Sequence, residues 1–134
     1  MNVATETRVE KVEEYIIGKH VYGNLYGIPR ELAIDEKYLI ETVVKAAELA
    51  NMTLVDVKSY SFGGLKGGVS VIALIMESHI AIHTWVEYRY ATVDVYTCGD
   101  KSDPWKAFQY IVERLKPKDY TINYADRTQH IKSA

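Results

Sequence analysis

The segment from residue 69 to residue 98 decides the fold and reads VSVIALIMESHIAIHTWVEYRYATVDVYTC. Three strand-like runs occupy it, at 69–76, 79–85 and 90–98, all rich in β-branched or aromatic residues. The first run is apolar throughout, as in a central strand, whereas the last alternates. In the last run one face carries Ala91, Val93, Val95 and Thr97, and the other carries Thr92, Asp94, Tyr96 and Cys98. The segment therefore predicts three strands of one sheet.

The flanking sequence adds further strands and two helices. Its patterns predict strands at 19–28, 53–62 and 119–125, and helices at 36–51 and 104–115. Asp35 is placed to cap the first helix, and Pro104 takes the first position of the second. The apolar stripe of the second helix consists of Trp105, Phe108, Ile111, Val112 and Leu115. This order predicts an α+β two-layer sandwich, a mostly antiparallel sheet with two helices packed on one face.

Length and composition indicate one domain. The chain has 134 residues, and we expect an N-terminal arm at 1–17 followed by a single domain at 18–134. Residues 1–14, mixed in charge, are interpreted as a mobile arm or a short surface helix. A formal net charge of −2 offers no field that would gather nucleic acid or an anionic membrane.

Two further absences in the sequence concern location. No apolar run is long enough for a transmembrane helix, and the N-terminus lacks the apolar core of a signal peptide. Cys98 is the only cysteine, so no internal disulfide can form, and without further context a lone cysteine is most often a small buried apolar residue. We expect a cytoplasmic protein.

A polar cluster interrupts the apolar strands at ESHIAIHTW, residues 77–85. Buried polar groups cost free energy unless they find partners, so a polar turn is the simplest interpretation. A Ser-His hydrolase is disfavoured because no nucleophile elbow surrounds Ser78 and no acidic third member stands out. His79 and His83 are four apart, a spacing that converges on a helix. On a strand we expect them to point to opposite faces, and we expect no metal site.

The motif as a whole resembles the small prokaryotic S-adenosylmethionine decarboxylases. ESHIAIHTWVEYRYATVDVYTCG (77–99) is similar to that family's ESHxxxHTWPE motif, which a Cys-Gly pair follows. GVSVIAL (68–74), GKHVYGNLYG (18–27) and DPWKAF (103–108) resemble three further family segments. The resemblance extends from Gly18 to about residue 125.

This resemblance implies a self-cleaving proenzyme. The hydroxyl of Ser78 attacks the carbonyl of Glu77, and elimination releases a β chain (1–77) from an α chain (78–134) that begins with a covalent pyruvoyl cofactor. The substrate amine forms a Schiff base with this ketone, which serves as the electron sink for decarboxylation. By the same resemblance His83 accepts a proton during processing, Ser70 assists it, and Cys98 returns a proton to the product. The family also implies at least a homodimer of processed αβ units.

The sequence departs from the family where the substrate pocket is expected. Phe62 is kept, but Gly63–Gly68 lacks the family's proline, Val71 replaces a glycine and Val86 replaces a proline. A reshaped pocket with unchanged chemistry fits the crenarchaeal arginine decarboxylase branch, which makes agmatine for polyamine synthesis.

Several alternatives stay open at this stage. Arginine needs carboxylates around its guanidinium, and Glu87, Asp94 or an acidic residue of a dimer partner could supply one. The substrate could instead be S-adenosylmethionine, the precursor of the aminopropyl donor for spermidine, with Phe62 as an aromatic platform for it. A non-catalytic ligand-binding relative is a third alternative, although it would need neither Ser78, His83 nor Cys98.

Overall fold

A seven-stranded antiparallel sheet forms the centre of the molecule. The structure, a computed structural model, describes residues 13–63 and 67–132. Its strands are β1 (Glu13–Ile16), β2 (Gly18–Tyr26), β3 (Leu54–Ser61), β4 (Val69–Ile75), β5 (Ser78–Trp85), β6 (Tyr90–Cys98), β7 (Asp119–Tyr120), β8 (Asn123–Asp126) and β9 (Gln129–Lys132). The helices are α1 (Arg30–Ala33), α2 (Glu36–Leu49) and α3 (Pro104–Leu115).

The sheet order places the 69–98 segment in the middle. Its path runs β3-β4-β5-β6-β2-β7, and β8 pairs with β2 beside β7. Consecutive strands β3 to β6 form a meander, and all strand pairs in the sheet are antiparallel. A separate two-stranded sheet pairs β1 with β9. The predicted α+β sandwich is confirmed.

All three helices lie on one face of the sheet. Helix α2 packs on β3 and β4, whereas α3 packs on β2 and β6. The alternation predicted for β6 is confirmed, since Ala91, Val93, Val95 and Thr97 are buried beneath the helices. Asp35 caps α2 by accepting from the backbone N–H of Tyr38 at 3.0 Å, as predicted. Burial of this one face builds the core. No helix of residues 13–63 and 67–132 covers the opposite face, the helix-free face, which carries Ile72, Leu74 and Asp94.

The predictions differ from the structure in five places. The predicted strand at 119–125 is two short strands, β7 and β8. Helix α1 and strand β9 were not predicted, and the last residues of the expected N-terminal arm form strand β1. Trp105 is 43% exposed and stacks on Tyr124, so it does not join the buried stripe of α3. The predictions for residues 1–12 and for 64–66 of the glycine loop lie outside the described residues.

Candidate active site

The Glu77–Ser78 bond lies at the turn between β4 and β5. The backbone N–H of Cys98 donates to the carbonyl oxygen of Glu77 at 3.1 Å. Thr53 holds the turn from the other side: its N–H donates to Glu77 Oε1 at 3.0 Å, and its carbonyl accepts from Met76 N–H at 2.9 Å. Thus both the carbonyl and the side chain of Glu77 are fixed by backbone groups that are distant in sequence.

Ser78 begins β5 with an unusual backbone conformation. Its φ angle is 157°, a region that residues with a Cβ atom rarely adopt. Such conformations cost about 1–3 kcal/mol and persist only where the surroundings enforce them. At Ser78 the enforcing contacts are those of Glu77 and Met76 just described, together with the pairing of Ser78 with Ile75. The bond predicted to break is therefore part of a strained turn.

Cys98 is the last residue of β6 and lies at the end of the sheet where β5 begins. The residue is half-buried, and strand alternation places its side chain on the helix-free face, with Asp94 and Tyr96. Its carbonyl accepts from Ser102 Oγ at 3.3 Å. The backbone N–H of Cys98 thus donates to the scissile carbonyl, and the same residue carries the thiol. The predicted residues Glu77, Ser78 and Cys98 therefore lie together.

Ser70 and His83 form a second cluster, on neighbouring strands. They are direct partners in the β4–β5 register, and Ser70 Oγ lies 2.7 Å from His83 Nδ1, sharing a hydrogen bond. Both line a cavity of about 290 Å³ together with Phe62 and Trp85. Gly68 is required beside this cavity, because a Cβ atom there would overlap the carbonyl oxygen of Thr84. The cavity gathers three of the residues predicted from sequence.

The two clusters lie at opposite ends of β5. Ser78 is its first residue and His83 its sixth, so at about 3.3 Å per residue their Cα atoms are about 17 Å apart. A general base must come within about 3 Å of the proton that it abstracts. Within one chain, the structure therefore does not bring His83 to Ser78.

The helix-free face between the clusters is partly apolar. Ile72 is 44% exposed and Leu74 is 52% exposed, and both line a cavity of about 830 Å³ with His79, His83 and Asp94. The expectation that His79 and His83 point to opposite faces was wrong. Side chains on a strand alternate with a period of two, so residues four apart return to the same face.

Asp94 joins two histidines on this face. Its Oδ1 lies 2.7 Å from His20 Nε2, and its Oδ2 lies 3.0 Å from His79 Nε2. Both histidines also contact the ring of Tyr96. Among residues 13–63 and 67–132, no group of three or more His, Cys, Asp or Glu side chains could hold a metal ion.

Glu87, predicted to contact substrate, is separate from these cavities. It is exposed in the turn between β5 and β6, whereas Phe62, at the end of β3, is 63% exposed beside Ser70 and His83. Sequence reasoning missed Thr53, which acts through its backbone and leaves no side-chain signal. It also missed the pairing of His20 with Asp94, although His20 lies in the GKH segment that was singled out.

Comparison with known proteins defines the family. The family model for S-adenosylmethionine decarboxylase matches residues 19–128. The chain belongs to the S-adenosylmethionine decarboxylase family. The solved adenosylmethionine decarboxylase of Aquifex aeolicus VF5 is 36% identical, with a TM-score of 0.76, over 84% of this chain and 91% of that one. The residues that the family model matches include both clusters.

Curated members of the S-adenosylmethionine decarboxylase family include more similar proteins. The arginine decarboxylase proenzyme of Hyperthermus butylicus is 64% identical over 86% of this chain and 81% of its own length. The arginine decarboxylase proenzyme of Ignicoccus hospitalis is 61% identical over 89% of this chain and 83% of its own length. The resemblance inferred from ESHIAIHTW is thus confirmed at the level of the family and of its archaeal branch.

The helices found in residues 13–63 and 67–132 are all too short or too polar to span a membrane.

Proposed function

We propose that this chain is a self-processing, pyruvoyl-dependent decarboxylase that converts L-arginine to agmatine and CO₂. Support for the substrate comes from relatives that are 58–64% identical and carry the name arginine decarboxylase proenzyme. Support for the chemistry comes from one observation above all. The carbonyl that Ser78 would attack already accepts a hydrogen bond from a fixed backbone donor, Cys98 N–H at 3.1 Å.

Processing begins at the strained turn. Ser78 Oγ attacks the carbonyl carbon of Glu77. Negative charge then develops on the carbonyl oxygen of Glu77, and the N–H of Cys98 stabilises that charge. Expulsion of the amide nitrogen turns the peptide bond into an ester. The strain at Ser78, with its φ of 157°, favours this step because the rearrangement releases the enforced backbone conformation.

Chain cleavage then requires a base. Removal of the Ser78 α-proton breaks the Cβ–O bond, which releases the β chain (1–77) as a carboxylate and leaves dehydroalanine at 78. Tautomerisation and hydrolysis expel ammonia and yield the α chain (78–134) with its pyruvoyl terminus. Histidine is the side chain that most often acts as a general base, and we assign this role to His83, with Ser70 orienting the ring through Nδ1 at 2.7 Å.

His83 must come from a second copy of the chain. Because about 17 Å separates Ser78 from His83 along β5, a base in the same chain cannot reach the Ser78 α-proton. A two-fold dimer that packs the helix-free faces together would bring opposite ends of β5 near each other. The partner subunit's His83 and the partner subunit's Ser70 would then face Ser78. Burial of the exposed Ile72 and Leu74 would favour this association.

The mature enzyme would use the same groups for decarboxylation. The pyruvoyl group, when present at residue 78, supplies the electron sink that loss of CO₂ demands. The residues around it fit such a group, because the backbone N–H of Cys98 donates to Glu77 beside residue 78 and Cys98 also carries a free thiol. Cys98 donates the proton that replaces the departing carboxylate, a role that a thiol can fill.

Recognition of arginine requires a carboxylate and an apolar surface. We assign Phe62, in the cavity with Ser70 and His83, to contact with the aliphatic part of the substrate. Glu87, exposed in the turn after β5, is assigned to the guanidinium, which pairs well with carboxylates.

The cytoplasmic location expected from the sequence stays a prediction.

S-adenosylmethionine is the second candidate substrate, favoured by the likeness to the Aquifex aeolicus enzyme. The test is CO₂ release by purified, cleaved protein from carboxyl-labelled L-arginine and, separately, from carboxyl-labelled S-adenosylmethionine. We expect release from arginine alone. Release from S-adenosylmethionine alone would overturn the substrate and keep the chemistry, and release from neither would favour a non-catalytic relative.

A further inference from the structure

The loop that follows Cys98 is tied down from several directions. Lys19 Nζ donates to the carbonyl oxygen of Ser102 at 2.9 Å and to that of Asp100 at 3.3 Å. Asn51 Nδ2 donates to the carbonyl of Lys101 at 3.2 Å. Three successive carbonyl groups of one short loop are therefore satisfied by two side chains from other parts of the chain.

A lysine side chain is an unusual anchor for the loop after Cys98. It lies opposite Thr97 in the β2–β6 register, and alternation directs its side chain toward the helix side of the sheet. A lysine ammonium near the start of α3 is unfavourable for the helix dipole. Its partners are backbone carbonyl oxygens that accept from an ammonium, and such charge-assisted hydrogen bonds are stronger than neutral ones.

The same loop is connected to Cys98 and to the scissile turn. Ser102 Oγ donates to the carbonyl of Cys98 at 3.3 Å, and the buried Thr97 hydroxyl donates to Ser102 Oγ at 2.8 Å. Asn51, which reaches the loop, is two residues from Thr53, which holds Glu77. The donor and the acceptor of the Cys98–Glu77 hydrogen bond are thus both anchored through the end of α2 and this loop.

We propose that Lys19 is a positioning residue, whose ammonium fixes the loop at 99–102 and so aims the Cys98 N–H and thiol at residues 77 and 78. This inference rests on the proposed self-processing. Lys19 touches neither the scissile bond nor Cys98 in the structure, and acts through the backbone of Asp100 and Ser102. Loss of the ammonium frees two carbonyl groups and lets the loop open locally without unfolding the sheet.

The test compares Lys19→Met with Lys19→Arg and with Lys37→Met, whose lysine is exposed on α2. One readout is the rate of chain cleavage after synthesis in a cell-free system, followed on denaturing gels. The other is the pH profile of Cys98 alkylation by iodoacetamide, measured in a Ser78→Ala background so that every chain is intact. Because Cys98 is the only cysteine, alkylation reports on this site alone.

We expect the Lys19→Met chain to cleave about tenfold more slowly than the wild type. The effect is smaller than complete loss of an oxyanion-stabilising donor, because the Cys98 N–H is displaced and not removed. We also expect about threefold faster alkylation of Cys98, because a loosened loop exposes the thiol. Lys19→Arg, which keeps a cationic donor, should restore most of the cleavage rate and of the protection of Cys98, and Lys37→Met should match the wild type. The melting temperature of each variant is measured alongside.

Wild-type rates of cleavage and alkylation in Lys19→Met would overturn the inference, as would equal slowing of cleavage in Lys37→Met. If Lys19→Met does not fold, Asn51→Gly loosens the same loop from the other side. Glycine keeps the backbone free to adopt the φ of 63° found at Asn51. Unchanged alkylation in that variant would then overturn it. Failure of the wild type itself to cleave would instead contradict the proposed function, while alkylation would still test the loop.

Discussion

The backbone N–H of Cys98, the last residue of β6, donates at 3.1 Å to the carbonyl oxygen of Glu77, the residue before β5. This contact places an oxyanion-stabilising donor on the bond predicted to break. In the proposed mechanism Cys98 has two separable roles, because its N–H would serve processing and its thiol would serve turnover.

Ser78→Ala removes the attacking oxygen while leaving the turn in place. We expect one uncut and inactive chain, because no other group on residue 78 can form the ester. Cleavage is followed on denaturing gels, with Ser61→Ala as the control, since Ser61 is an exposed serine at the end of β3. Any cleavage of the Ser78→Ala chain at the 77–78 bond would contradict the mechanism.

Cys98→Ala removes the thiol and keeps the backbone N–H. Cleavage should continue, because the donor to Glu77 is retained, whereas turnover by the cleaved protein should fall about 10²-fold for loss of a general acid. Gels and labelled-CO₂ release measure the two steps on the same sample. Equal loss of both would show that the thiol itself is needed for cleavage.

Mixed dimers test whether two chains share one site. A chain with His83→Ala keeps Ser78, and a chain with Ser78→Ala keeps His83. Neither chain alone should cleave, but co-expression of differently tagged copies should yield cleavage of the His83→Ala chain only. If His83 acts on the Ser78 of its own chain, the mixture would stay uncut.

Glu77→Ala removes the carboxylate that accepts from Thr53 N–H at 3.0 Å. The scissile turn loses one of its anchors, so we expect cleavage to slow by about tenfold, in line with loss of a hydrogen bond to a charged group worth about 1.5 kcal/mol. The exposed Glu48 provides the control, as Glu48→Ala. Cleavage at the wild-type rate in Glu77→Ala would mean that the carboxylate does not order the turn.

Glu87→Gln tests substrate recognition apart from processing. The exposed turn at Glu87 lies outside the contacts that hold Glu77, so cleavage should proceed normally. The KM for arginine should rise about tenfold if the carboxylate binds the guanidinium, with a smaller effect on kcat. Steady-state kinetics on the fully cleaved protein give both values. An unchanged KM would exclude Glu87 as the guanidinium ligand.

Strand periodicity made most of the fold predictable. The alternation in 90–98 identified the buried face of β6, and Asp35 and Pro104 marked the starts of α2 and α3. Trp105 fits the helical period of α3 but is 43% exposed, because Tyr124 provides a stacking partner outside the core. The strands β1 and β9 were not predicted, because their pairing joins the two ends of the chain.

The sequence proposes residues for the candidate site but not their arrangement. The resemblance of the 77–99 motif to the family nominates Ser78, His83 and Cys98, but spacing carries no information on which strand ends meet in space. Only the register shows that Ser70 faces His83 while Cys98 faces Glu77. Contacts made by backbone groups, such as those of Thr53, leave no trace in residue type.

The central claim is that the chain cuts itself at Glu77–Ser78 and builds its own cofactor there. The most direct test is the intact mass of the protein after purification under denaturing conditions. We predict two chains, 1–77 and 78–134, the second lighter by one ammonia than the same chain beginning with serine. A single chain of 134 residues, or a second chain that begins with an unmodified serine, would contradict the account.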